Sequence, residues 1–413
     1  MKLGKRRWLV GAFILGMLVA SLGAARRNSL SARVDVVGGA DDNPVVSGLR
    51  VQELADDYFL TWGLYPHLEL RSEGAASVVT LYYSFGMNRV DTELDLDSES
   101  HGVGLAWEVR GERLTLTLSE NFRRSPDFTT FNLFQGIVFT PEGMFFNYDT
   151  IALRRNSNEN TASLELEYQI SGSSYWRAGG GHSLREYEQD PRFNRRLADQ
   201  DQVRAFTGYR YQFTESTSFL TDYRFSHYNF RTGGYPDGRT HDLVFGLDHA
   251  LSPTVQLRME AGPSYVELIG TDLAFWGYNA SIGLSKYWEK EFVDIYYRRD
   301  NTASVGVGSL SKTHRLGFGF SKLFGPSFST NFGLALFETE RIFDNPVDFR
   351  GVQGSLVLQW LLARNIALNV GASYLSQEEN SDFPELGLVG LYDLDRRRAW
   401  VSLRFDLPDF WRF

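Results

Sequence analysis

The sequence predicts an all-β chain folded as a single transmembrane antiparallel up-and-down barrel, and three observations predict it. Long segments alternate apolar and polar residues one by one. Very short turns take turns with long polar connections, and the last alternating segment, Arg398 to Leu407, lies a few residues from a terminal aromatic, Phe413. A period of two marks strands with one greasy and one polar face. Two stacked soluble sheets would alternate in the same way, so no single strand separates the two cases. The rhythm of the connections does, because a barrel in lipid has short turns at one rim and long loops at the other.

At the amino terminus, Lys2, Lys5, Arg6 and Arg7 precede an apolar run from Trp8 to Leu22 that closes in small residues. This pattern predicts a signal peptide over residues 1–25, with cleavage after Ala25 preferred over Gly23. A retained membrane helix is the alternative, since Trp8 to Ala25 is just long enough to span. The domain division expected is therefore 1–25 signal peptide and 26–413 barrel. No later apolar run approaches the ~20 residues of a spanning helix, so any membrane crossing is by strands.

The chain carries 42 basic and 51 acidic residues, a formal net charge of −9. Four basic and no acidic side chains lie in residues 1–25, so the mature chain stands at −13. Such a balance argues against nucleic acid as a partner, which requires a basic footprint. The absence of cysteine excludes disulfides, thiolate metal sites, cysteine nucleophiles and lipoprotein acylation.

The first strand is expected at Leu30 to Val37. From Tyr58 onward tight turns fall at Glu73-Gly74-Ala75-Ala76, Gly111-Glu112, Pro141-Glu142-Gly143, Ser171-Gly172-Ser173, Thr214-Glu215, Ser252-Pro253, Glu289-Lys290, Gly325-Pro326 and Ala363-Arg364-Asn365. Several contain the residues that tight reversals favour. Polar loops separate the hairpins, among them Val90 to Ser98, Glu188 to Gln202, Arg231 to Arg239, Asn301 to Lys312, Glu340 to Asp348 and Gln377 to Arg396. Nine hairpins plus a first and a last strand make about 20. The hairpin Phe128 to Phe139 with Met144 to Arg154 could instead be one long aromatic loop, which gives 18.

If the apolar register faces lipid, the opposite register projects inward. It holds Glu69, Thr80, Asn88, Glu108, Asn121, Glu165, Glu167, Arg177, Arg204, Arg210, Asp222, Arg224, Arg258, Glu260, Asp294, Arg298, Arg315 and Arg404. Charges at this density require water or partners, so they are the candidate pore lining. Tyr58, Trp62, Trp107, Trp176, Tyr209, Phe213, Tyr223, Trp276, Tyr278, Trp288 and Trp360 lie on the apolar register, several near strand ends where interface girdles belong. A constriction would need a loop folded inward, with Gly38 to Asp57, Glu188 to Gln202 and Gln377 to Arg396 as the longest candidates.

The closing strand with its terminal Phe413 resembles that of a Gram-negative outer-membrane β-barrel. Such a resemblance implies an outer-membrane location, lipid as surroundings, and recognition by the barrel-assembly machinery through this strand. Asp41-Asp42-Asn43-Pro44, Arg154-Arg155-Asn156 leading to Asn160, Leu164-Glu165-Leu166-Glu167-Tyr168, the turn entries Leu251-Ser252-Pro253 and Phe213-Thr214-Glu215, and Leu407-Pro408-Asp409-Phe410-Trp411-Arg412-Phe413 together resemble the β-barrel porin families found with bacterial exopolysaccharide and exosortase gene clusters. The resemblance implies a conduit for exported polysaccharide, with tight turns and Phe413 at the periplasmic side. The periplasmic helical-repeat domain of some export barrels is not in this sequence, so a separate periplasmic export component is the implied partner.

Chemistry is sparse. Seven histidines (His67, His101, His182, His227, His241, His249, His314) are scattered singly and none has metal-motif spacing. The runs Asp41-Asp42-Asn43 and Asp393-Leu394-Asp395 offer oxygen ligands but not the count of a calcium loop. A surface hydrolase would need a serine beside a histidine; His227 shares the outward parity and Ser226 points inward. No enzyme and no cofactor is expected. A pore for a hydrophilic solute and a non-conducting structural barrel with paired lumen charges remain as the two readings.

Overall fold

The computed structural model describes residues 27–42, 58–91, 97–125, 139–140, 143–144, 156–188, 199–231, 236–303, 310–342, 347–381 and 394–412. Within them lie β1 (Arg27–Asp41), β2 (Phe59–Glu73), β3 (Ser77–Val90), β4 (Ser98–Arg110), β5 (Leu114–Ser125), β6 (Phe139–Thr140), β7 (Gly143–Met144), β8 (Ser157–Ser171), β9 (Ser174–Tyr187) and β10 (Gln200–Thr214). The second half supplies β11 (Thr217–Phe230), β12 (Gly238–Ser252), β13 (Val255–Leu268), β14 (Ala274–Tyr287), β15 (Glu291–Ala303), β16 (Leu310–Phe324), β17 (Phe328–Arg341), β18 (Val347–Ala363), β19 (Ile366–Ser381) and β20 (Leu394–Arg412). All but β6 and β7 join one 18-stranded sheet, each strand antiparallel to its neighbour in the chain. β1 pairs with both β2 and β20, so the sheet closes on itself.

The barrel therefore has 18 strands rather than 20. Ser125 of β5 pairs directly with Ser157 of β8, which leaves no room for a hairpin between them. What the described residues show of the expected extra hairpin is the two-residue pairing of Phe139–Thr140 with Gly143–Met144, in a sheet of its own. A physical reason is readable in Phe131-Asn132-Leu133-Phe134-Gln135-Gly136-Ile137-Val138-Phe139: apolar residues occupy both parities, so the segment has no polar face to turn inward. The expected signal peptide, residues 1–25, lies outside the described residues.

Eight tight turns stand where the sequence puts them. The backbone N–H of Gly74 donates to the Ser77 carbonyl at 2.8 Å, and that of Gly111 to the Leu114 carbonyl at 2.7 Å. Gly325 takes φ +78°, a left-handed conformation open to glycine, between β16 and β17. Both terminal strands outrun the expected bounds, because β1 and β20 complete each other's ladder from Asp41↔Arg398 to Ser29↔Arg412.

One register carries the exposed apolar side chains. Leu164, Val203, Phe245, Ile282, Ile295, Leu334, Val401 and Leu403 are all exposed, and so are all the girdle candidates except half-buried Trp107. A soluble sandwich would bury such a face against a second sheet. Here it forms the outside of the cylinder, which is the arrangement hydrocarbon favours.

Candidate pore lining

Ion pairs between strands that are not neighbours establish which register is concave. Arg177 on β9 reaches over β10 to Asp222 on β11, with Nε 3.1 Å from Oδ1 and a second bond to Oδ2. Gly208 of β10 makes the crossing possible, since a Cβ there would collide with Asp222 Oδ1. Arg224 likewise spans from β11 over β12 to Glu260 on β13, at 3.3 Å. Side chains two strands apart converge only on the inside of a curved wall.

All thirteen charged candidates from Glu165 to Arg404 stand on barrel strands in this register, opposite the exposed apolar one. The structure draws several of them together. Asp222, fully buried, holds Arg177 and, at 3.0 Å, Arg224, which passes the chain on to Glu260. Arg258 binds Asp248 at 2.9 Å, Arg298 binds Asp300 at 2.9 Å, and Arg404 binds Asp35 at 2.9 Å. Asp294 accepts from Ser285 Oγ at 2.5 Å. Glu165 and Glu167 stand side by side in register on β8.

A barrel with its lumen charges paired off requires a carboxylate beside each of Arg204, Arg224, Arg258 and Arg298. Three of the four have one. Among the described residues no carboxylate lies within ion-pair distance of Arg204 or of Arg210, six residues further along the same face of β10. The carboxylates Asp35, Asp248 and Asp300 were not picked out from sequence, though each shares the parity of its strand's polar face.

The expected inward loops, Gly38 to Asp57, Glu188 to Gln202 and Gln377 to Arg396, fall largely outside the described residues. Their described ends are strand. A buried apolar cluster does stand on the concave side: Tyr228, Phe230, Val266 and Leu268 with Leu310, all 6% exposed or less. Leu310 belongs to a stretch, Asn301 to Lys312, that reads as a surface loop.

Other sequence candidates find plain structural partners. Asp41, weighed as a calcium ligand, pairs with Arg396 and Arg398 of β20. Three outward histidines accept or donate at tyrosine hydroxyls: Tyr83 with His101 at 3.1 Å, Tyr223 with His241 at 2.7 Å, and Tyr297 with His314 at 2.9 Å. The described residues contain no group of three side chains that could hold a metal ion.

No family model and no curated protein matches the sequence. Among solved structures, the FrpB iron transporter of Neisseria meningitidis shares the fold, with TM-score 0.50 and 10% identity over 91% of this chain and 66% of that one. OccK7 (OpdD) of Pseudomonas aeruginosa aligns with TM-score 0.49 and 11% identity, over 93% of this chain and 99% of that one. OccAB4 of Acinetobacter baumannii aligns with TM-score 0.47 and 10% identity, over 94% and 100%.

Proposed function

We propose that this protein lies in the outer membrane of a Gram-negative bacterium and forms a polar pore for a hydrophilic solute. The observation that carries the reading is the sorting of side chains around the closed wall: apolar outside, charged and hydrogen-bonding inside. Barrels of 16 to 18 strands leave an aqueous channel when nothing fills them. Arg204 and Arg210 have no carboxylate beside them among the described residues and are suited to an anionic group on the solute. Below the long-loop ends of β17 to β19 the inner register is uncharged from Ser329 to Thr339, Phe349 to Gln359 and Ala367 to Gln377, with Asn331, Gln353, Ser355, Gln359 and Asn369, groups that fit sugar hydroxyls. An acidic saccharide meets both halves of that wall, and an exported polysaccharide passing from a separate periplasmic component is the fullest form of the proposal. The last strand is the element the barrel-assembly machinery would read.

Single-channel recording in planar bilayers tests it. Steady conductance that falls when an acidic oligosaccharide is added is the expected result; a folded barrel without conductance overturns the pore. The second reading, a non-conducting structural barrel, is favoured by the Arg177–Asp222–Arg224–Glu260 chain. It predicts that silence.

A further inference from the structure

The ladder of the wall is interrupted between β14 and β15. These strands pair from Tyr287↔Phe292 to Ala280↔Arg299 and no further. Above that point each stays with its other neighbour, β14 as far as Ala274↔Glu267 on β13 and β15 as far as Ala303↔Leu310 on β16. Ala274 to Asn279 are thus left without a β15 partner, the longest such run at the long-loop end of the barrel.

Side chains close the fork in place of a ladder. The Arg299 guanidinium lies 3.6 Å from the centre of the Tyr278 ring and donates to the Tyr278 carbonyl. The Asn301 N–H donates to Asn279 Oδ1 at 3.2 Å, and its amide reaches over β14 to Ser264 Oγ at 2.8 Å. Arg299 is 6% exposed, and among the described residues it has no carboxylate partner. A buried guanidinium satisfied by a carbonyl and a ring keeps donors for an anion.

An apolar cluster adjoins the fork on the concave side. Tyr228, Phe230, Val266 and Leu268 form it, Phe275 of β14 packs against it, and Leu310 fills it. Leu310 Cγ comes within 3.1 Å of where a Cβ on Gly238 would stand. Asn279 is eight residues above the β14 turn, which at about 3.3 Å per residue and a tilt of about 40° is about 20 Å up an apolar band of about 25 Å. Outside, at the same height, Trp276 and Tyr278 are 71% and 53% exposed, as aromatics at a membrane interface are.

We infer that this fork is a side port for a single-chain carboxylate amphiphile, such as a fatty acid, moving between the lumen and the outer leaflet. The tail takes the place of Leu310 in the cluster, and the carboxylate takes the Arg299 guanidinium. The port rests on the proposed membrane placement but not on ion conductance through the axis.

The chain has no cysteine, so a Gly238→Cys/Leu310→Cys pair can be oxidised to tether position 310 to β12, across the place the tail would enter. In lipid nanodiscs, saturable tryptophan-to-parinarate energy transfer reports binding of that fluorescent fatty acid. Binding is expected in the wild type, to be lost on oxidation of the pair and restored by dithiothreitol, with axial ion conductance unchanged. Arg299→Gln should weaken it about tenfold, as loss of one charge-assisted bond does. Absence of saturable binding in the wild type, or binding indifferent to both changes, overturns the port. So does an oxidised pair that lowers conductance and leaves parinarate binding intact, because the tether at position 310 then only narrows the axis. A barrel that binds parinarate in this lock-sensitive way but passes no ions retains the port and sinks the axial pore alone.

Discussion

Arg396 of β20 donates to both carboxylate oxygens of Asp41 on β1, at 2.7 to 3.2 Å, although 355 positions separate them in sequence. Arg398 adds a second guanidinium at 3.2 Å, and all three side chains are under 9% exposed. Two buried guanidiniums therefore share this carboxylate. Asp41→Asn should destabilise the barrel by about 3 to 5 kcal/mol, the usual result of stripping one member from a buried pair. Urea titration followed by heat-dependent gel mobility will measure it.

Gly208 lets the Arg177–Asp222 bridge pass over β10. Gly208→Ala puts a methyl group onto Asp222 Oδ1, and the expected loss is about 1 to 3 kcal/mol, typical of overpacking. The same titration applies. Asp222→Ala alone tests whether the loss runs through that carboxylate, since Gly208→Ala should then add little to it.

The two faces of β17 should respond differently to the same charge. Leu334, 36% exposed on the apolar register near mid-height, becomes about 2 to 4 kcal/mol less stable as Leu334→Arg if hydrocarbon surrounds the barrel. Asn331→Arg, on the inner register, should move stability much less. Equal losses at both positions would contradict the sorting of the faces.

Reversing Arg204 and Arg210 together to glutamate should lower the anion-to-cation permeability ratio, read as a shift in reversal potential under a salt gradient. The effect should shrink as salt rises, because exposed charges are screened over about 10 Å at 0.1 M. Arg258→Gln, whose guanidinium is held by Asp248, should shift it less.

Joining β5 to β8 by a short glycine-serine linker in place of residues 127–155 should leave the cylinder folded. Ser125 and Ser157 are already cross-strand partners, so the linker has little distance to span. Unchanged far-ultraviolet circular dichroism and heat-dependent mobility are expected.

Strict alternation made most of the architecture readable, since each lumen candidate could be placed by parity against neighbours such as Leu164 or Phe245. The strand number was ambiguous because Phe131 to Phe139 has β-forming residues on both parities. The fork at Ala280 and Arg299 was invisible for the opposite reason. Trp276, Tyr278, Ala280, Ile282 and Leu284 alternate without a break, and alternation describes a strand, not whether its neighbour stays beside it. Leu310 was hidden in a polar stretch whose single leucine carries no period. Asp41 looked like a cation ligand because its arginine partners come from the far end of the chain.

Partnership between β1 and β20 also sets the timing of assembly. Hairpins such as β16–β17 need only neighbouring segments, but the cylinder cannot exist until β1 meets β20, a closure of the highest contact order in the molecule. Until then Asp35 and Asp41 wait without their β20 guanidiniums, and the half-built sheet offers two raw ladder edges to any passing strand. A chain cut short before Leu394 would keep those edges open and be more prone to aggregation than one missing any internal loop.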